Sequence, residues 1–254
     1  MQCPYDPCKK RDMKQCSVYS ASPKASKPLF AFLCLAAWYV VAGGSAWGGT
    51  LRGTVQFTGA TVEPKKLPVT VDHFVCGKEK DAEDLVLSSE KGIRNVVVSL
   101  QPPPAGAKWP TFLPSVQMDQ EECVFVPRVV VVPVGGTVEF LNSDRLLHNL
   151  HSAGTKNLTF NRTQPRGRTI PIVFKKPEII QVGCDLHPWM RAWVVVTDHP
   201  FYAITNDQGE FVLDDVPPGA YTLQLWQESL GTVTKDVAVR DEAITTVTLE
   251  MSRK

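Results

Sequence analysis

The chain has 254 residues, of which 43% are hydrophobic and 21% charged, and its formal net charge is +1. That length suffices for one or two globular domains. Low charge with ordinary hydrophobicity excludes a wholly disordered chain, and the balance leaves no basic footprint for nucleic acid.

The first predicted element is an export signal over residues 1–46. Residues 1–28 carry six basic side chains (Lys9, Lys10, Arg11, Lys14, Lys24, Lys27) and two acidic ones (Asp6, Asp12). Leu29–Val41 is uncharged and mostly apolar, and Ala42-Gly43-Gly44-Ser45-Ala46 follows. A basic head, an apolar stretch and a small-residue exit read as a secretory signal cleaved after Ala46. Counted on through Gly49, the same stretch approaches a membrane span and reads alternatively as an N-terminal anchor. Met13 offers a second start, which would remove Cys3 and Cys8. Without its basic leader the chain becomes mildly acidic. Export implies an oxidising compartment, the periplasm, where disulfides persist.

From residue 50 on, the pattern is all-β. Short runs rich in Val, Ile, Thr and Phe recur between Gly and Pro: 54–58, 95–100, 129–134, 137–142, 169–174, 179–182 and 192–197, then 203–205, 210–213, 221–226, 232–239 and 245–249. Such spacing suggests sandwiches or barrels. The one helical expectation is a turn near Cys76–Asp81. Gln101–Pro114 carries five prolines, which fits a connector better than a central strand.

Chemistry concentrates in two segments. Cys184-Asp185-Leu186-His187-Pro188-Trp189-Met190 places a thiol, an imidazole and a thioether within seven residues, between two predicted strands. About forty residues upstream, a predicted strand runs out into a loop holding His148, Asn149 and His151. One Cys, two His and a weak axial Met are the ligand set of a blue-copper site. Met is a poor zinc ligand. Either His148 or His151 could supply the upstream imidazole. Cys184 could also be an inert buried thiol and Met190 plain core. His73 and His199 have no partners in sequence. Of the cysteines after the leader, Cys76 and Cys123 are the economical disulfide pair, and that leaves Cys184 as the single thiol.

The Cys-x2-His-Pro-aromatic-Met-Arg loop, the upstream His-Asn-x-His and the preceding Gly-x-Thr-Val-x-Phe-x-Asn run (Gly135–Asn142) resemble cupredoxins, most of all those of the amicyanin type. The resemblance covers roughly residues 115–198. It implies a Greek-key β-sandwich binding one type-1 copper ion through His148, Cys184, His187 and axial Met190. It further implies a backbone hydrogen bond from Asn149 to the Cys184 sulfur, with His151 as a polar neighbour. Around an exposed ligand His, Pro188 and Trp189 would form the docking patch through which electrons leave.

A second resemblance lies in Ile-Thr-Asn-Asp-Gln-Gly-Glu-Phe (204–211) and Val-Pro-Pro-Gly-Ala-Tyr-Thr-Leu (216–223). These are similar to the carboxypeptidase regulatory-like, transthyretin-like β-sandwich. Its first strands are missing just upstream, but Arg52–Val55 and Asn95–Leu100 fit them. The expectation is a cupredoxin domain (115–198) inserted into a small sandwich built from 50–114 and 199–251, with Val96 and Val98 against Tyr221 and Leu223. The competing expectation has 50–114 extending the cupredoxin. Chains combining these modules resemble methylamine-utilisation-like proteins. The implied role is one-electron transfer with a c-type cytochrome or a dehydrogenase, not catalysis. The alternative is copper delivery, or docking without redox use.

Overall fold

The structure is a computed structural model that describes residues 48–60, 63–111, 115–241 and 243–253. The expected export signal, residues 1–46, lies outside the described residues. In chain order the elements are β1 (Gly49–Phe57), β2 (Lys66–Pro68), α1 (His73–Cys76), β3 (Glu79–Asp81), β4 (Val97–Gln101), β5 (Val116–Glu121), β6 (Val124–Val126), β7 (Val129–Pro133), β8 (Thr137–Phe140) and β9 (His148–Ser152). There follow β10 (Asn161–Gln164), β11 (Ile170–Val173), β12 (Glu178–Gly183), β13 (Arg191–Thr197), β14 (Tyr202–Ile204), β15 (Glu210–Val216), β16 (Gly219–Gln227), β17 (Gly231–Val239) and β18 (Ile244–Met251). The fold is all-β.

The central segment makes one pair of sheets, ordered β10-β9-β12-β13-β7 and β11-β8-β5-β6. Between them lies a core of Met118, Phe125, Val130, Val132, Phe140, Leu150, Ile180, Val182 and Val194, together with Cys184 and Met190. Strands from before and after that segment make a second pair, β15-β1-β18 and β14-β4-β16-β17. Leu100 pairs with Leu223 and Val98 with Leu225 across β4 and β16. Val96, Val98 and Leu100 share a buried cluster with Leu223 and Leu225, against which Tyr221 packs.

The unbroken Val run of β7 has a structural cause. Val130 and Val132 enter the first core, whereas Val129 and Val131 join Val97 and Val195 in a separate cluster. A strand covered on both faces needs apolar residues at every position. Trp193, Tyr202, Ile204 and Trp226 pack on that cluster, so it joins the two sandwiches.

Two local expectations need correction. The helix covers His73–Cys76 and not Cys76–Asp81. It stops at Gly77, whose φ of 81° leaves the helical region, and the chain then extends as β3 against β2. Six strands, β2, β3, β5, β6, β9 and β10, fall where no strand was expected. Five of them are short or polar. β9, read as loop because of its His and Asn, is buried at four of its five positions.

Candidate metal centre

Two hairpin-like elements position the site. β12 and β13 pair from Glu178↔Val196 to Gly183↔Arg191, which brings the two ends of the loop 184–190 together. The loop closes on itself: the Met190 N–H donates to the His187 carbonyl at 2.9 Å, and the Cys184 N–H donates to the Met190 carbonyl at 3.3 Å. β9 lies beside β12 through Val182↔Ser152 and Gly183↔His151, so His148 enters alongside the loop. Asn142 shapes the approach. Its side chain donates to the carbonyls of Leu146 and Gln164 and accepts the Asp144 N–H at 3.0 Å.

His148 and His187 are fully buried, and Cys184 is buried as well. Their donor atoms converge. His148 Nδ1 lies 3.0 Å from His187 Nδ1, and the Cys184 Sγ lies 3.9 Å and 3.5 Å from those two nitrogens. A triangle with these sides has a centre about 2.0 Å from each corner, which matches a metal–imidazole bond of about 2.0–2.1 Å and falls about 0.3 Å short of a metal–thiolate bond of about 2.3 Å. One thiolate and two imidazoles suit a soft or borderline metal. The donor set therefore fits a transition-metal ion in both chemistry and size. Among the described residues a second group, Cys123, Asp144 and His148, is as tightly gathered. The Cys123 sulfur is committed to a disulfide with Cys76, which removes it as a ligand.

The surroundings favour a thiolate. Burial works against charge on Cys184, but the His148 hydrogen bond and the N–H groups of Asn149, His187 and Leu186 outweigh it and lower the thiol pKa. The Asn149 N–H reaches Sγ at 3.3 Å. The Asn149 side chain accepts the Asp185 N–H at 2.6 Å and bonds Asn161, which clamps the loop to β9 and β10. Burial likewise opposes a charged His148, yet its bonds to Asp144 and Cys184 raise its pKa. Asp144 is lowered despite burial, by His148 and by the Cys123 N–H.

The remaining expected site residues fall as follows. His151 points outward, half-exposed, with its Nδ1 2.9 Å from Asp185 Oδ1, and it is not part of the donor triangle. Met190 is buried in the core cluster that holds Cys184. Cys76 and Cys123 form a disulfide, and Cys184 is the free cysteine among the described residues.

The expected docking patch is placed differently. Trp189 is buried, with its ring centroid 5.2 Å from that of His187 and its indole N–H donating to the Cys123 carbonyl at 3.0 Å. His187 is covered too, because Asp72 Oδ2 sits 3.0 Å from its Nε2. The cause is the strap β2–α1–β3, pinned by the Cys76–Cys123 bond. Pro188 stays exposed and lines an open cleft with Leu67, Pro68, Trp189 and Arg191. Sequence reasoning missed Asp72 and Asp144. It also missed the exposed Val71, Phe74 and Leu186, which stand within two residues of Asp72 or His187 in the chain.

No family model matches this chain, and no curated protein matches it. Among solved structures it is similar to a novel purple cupredoxin from Nitrosopumilus maritimus, at 24% identity over 33% of this chain and 100% of that one, with a TM-score of 0.29. It is also similar to the Cu-containing nitrite reductase of Thermus scotoductus SA-01, at 28% identity over 40% of this chain and 26% of that one, with a TM-score of 0.32. A third similarity is to a reduced Cu(I) form of an amicyanin mutant, at 21% identity over 39% of this chain and 98% of that one, with a TM-score of 0.31.

Proposed function

We propose that the protein is an exported type-1 copper protein that passes single electrons to and from a redox partner. The observation that carries this reading is the buried convergence of Cys184 Sγ, His148 Nδ1 and His187 Nδ1 within 3.0–3.9 Å of one another. A thiolate with two imidazoles is the core of a blue-copper donor set, and Met190 would supply the weak thioether sulfur that completes it. A copper ion held there supplies one-electron exchange between Cu(II) and Cu(I). The chain's own share is to keep the ligands fixed through both states. The closed 184–190 loop and the Asn149 clamp hold Cys184, and burial excludes water from the donors.

The Cys76–Cys123 disulfide suits an oxidising compartment such as the periplasm. The partner is read as a c-type cytochrome or a dehydrogenase, meeting the molecule near Pro188. The sandwich containing β1, β4 and β14–β18 is read as a carboxypeptidase regulatory-like module with a structural or docking role.

The test is to load the purified protein with copper and oxidise it. An absorption band near ~600 nm with a copper EPR signal is expected for a His2Cys-Met centre. Cys184→Ser should abolish the band, and Met190→Gln should keep it while shifting the reduction potential. A colourless, EPR-silent protein overturns the assignment. Fast, reversible exchange with a c-type cytochrome separates a shuttle from a delivery protein, and loss of copper on dialysis would favour a docking role.

A further inference from the structure

We infer that Asp72 and Asp144 are positioning residues for the metal centre, mounted on a single disulfide; the inference rests on the copper reading above. Each ligand imidazole is held at its outer nitrogen by one carboxylate. Asp144 Oδ2 lies 2.8 Å from His148 Nε2, and Asp72 Oδ2 lies 3.0 Å from His187 Nε2. A neutral imidazole carries one N–H, and a carboxylate can only accept. The two aspartates therefore keep Nε2 protonated on both rings, so that Nδ1, which faces Cys184, is the nitrogen each ring offers to a metal ion. Such outer partners orient metal-bound histidines and raise their basicity.

Both carboxylates are anchored to the same covalent bond. Asp144 Oδ2 also accepts the Cys123 N–H at 2.8 Å. The Asp72 carbonyl accepts the N–H groups of Val75 and Cys76 at 3.0 and 2.9 Å, which makes the first turn of α1. Cys76 and Cys123 are joined. The Cys123 carbonyl in turn holds the Trp189 indole that lies against His187.

The backbone carries a second sign of the same design. Among the described residues six non-glycine residues have positive φ, and three of them belong to this assembly: Asp72 at 54°, Glu122 at 50° and Cys123 at 57°. Glu122-Cys123 is the two-residue turn between Glu121 and Val124, a place that favours Asn-Gly. Each left-handed residue of this kind costs about 1–2 kcal/mol, and such residues persist where the surroundings over-determine them. Here those surroundings are the disulfide, Asp144 and Trp189.

The test uses copper itself. Wild type, Asp72→Ala, Asp72→Asn and Asp144→Asn are titrated with Cu(I) against a chromophoric chelator, and the thermal midpoint of each metal-free protein is measured. The Asp72 side chain is 53% exposed, so its removal should leave the protein folded, with a modest drop in the metal-free midpoint of Asp72→Ala because Ala is strained at a φ of 54° and the buried His187 Nε2 loses its partner. Asp72→Ala should bind copper roughly 10–100-fold more weakly. Asp72→Asn, which keeps an acceptor but not the charge, should fall between and show a higher reduction potential. Nitrogen NMR of the metal-free protein should find Nε2 protonated at both histidines in wild type, and that protonation lost at His187 alone in Asp72→Ala. Wild-type affinity together with an unchanged His187 tautomer in Asp72→Ala overturns the inference. If wild type takes no copper, the copper reading falls, and the tautomer measurement alone decides the role of the aspartates. Should Asp144→Asn fail to fold, the Asp72 pair carries the test.

Discussion

His148 and His151 stand three residues apart on one strand and meet opposite fates. Along β9 the residues at 148, 149, 150 and 152 are buried, and 151 alone is exposed. A strand sends side chains alternately to its two faces, so an odd spacing separates the two imidazoles. His148 enters the donor triangle, and His151 pairs with Asp185 in solvent. An exposed pair of this kind contributes less than about 1 kcal/mol. His151→Ala should therefore keep the copper and its colour, whereas His148→Ala should lose the colour; visible and EPR spectra of the loaded variants check this. A colourless His151→Ala would move the ligand assignment. The difference was not legible in the sequence, because the parity rule applies only once the segment is known to be a strand. The Cys184, His187, Met190 spacing was legible because one short loop contains all of it. Asp72 lies 115 positions from His187 and leaves no local signal at all. Trp189 was expected at a surface. It is buried because a distant strap covers it and the Cys123 carbonyl satisfies its N–H.

Elements near the site are tied down by side chains as much as by ladders. The loop from β9 to β10 folds around Glu178, the first residue of β12. Its carboxylate accepts the N–H groups of Lys156 and Asn157 at 2.9 and 2.8 Å and also bonds the Thr155 N–H and hydroxyl and the Asn157 amide. Burial tends to raise its pKa, but these donors prevail and bring it down to about 2 from an ordinary 4.5. A carboxylate lowered on folding adds stability above its unfolded value and loses it as pH falls through the folded one. The contribution of Glu178 should thus be full above pH 4.5 and fade toward pH 2. Glu178→Gln should cost about 1–2 kcal/mol near neutral pH, after discounting for partial solvent exposure. Urea midpoints of the two proteins should converge as pH approaches 2. A constant gap across that window would mean that charge plays no part. The strap shows the limit of sequence reading at this scale. β2 and β3 have three residues each and α1 has four, too few for a period to appear.

At the scale of the molecule, the all-β class was readable from β-branched runs and turn residues, but the joint between the sandwiches was not. That joint depends on pairs 33 to 100 positions apart. Trp193 of β13 meets Trp226 of β16 edge to face, with ring centroids 5.1 Å apart. Beside them Arg128, just before β7, grips Glu228, just after β16, with Nε to Oε1 at 2.6 Å and Nη2 to Oε2 at 2.9 Å. Both side chains are nearly buried, at 11% and 10% exposure, and Arg128 also reaches the Arg191 carbonyl at 3.3 Å, at the foot of the metal loop. In such a site the desolvation of two charges offsets most of their attraction, while removing one charge strands the other. Glu228→Gln leaves Arg128 without its counter-charge and should destabilise the protein by about 2–4 kcal/mol. Replacing both partners, as Arg128→Met with Glu228→Leu, should cost clearly less than the two single changes added together. Urea unfolding followed by tryptophan fluorescence and by far-ultraviolet circular dichroism measures both quantities. With the pair intact the two signals should share one midpoint, because the sandwiches hold each other through a common buried cluster. Single and double variants of equal stability would show that the bond is solvent-screened and that the apolar cluster around Val129, Val131 and Trp226 joins the sandwiches by itself.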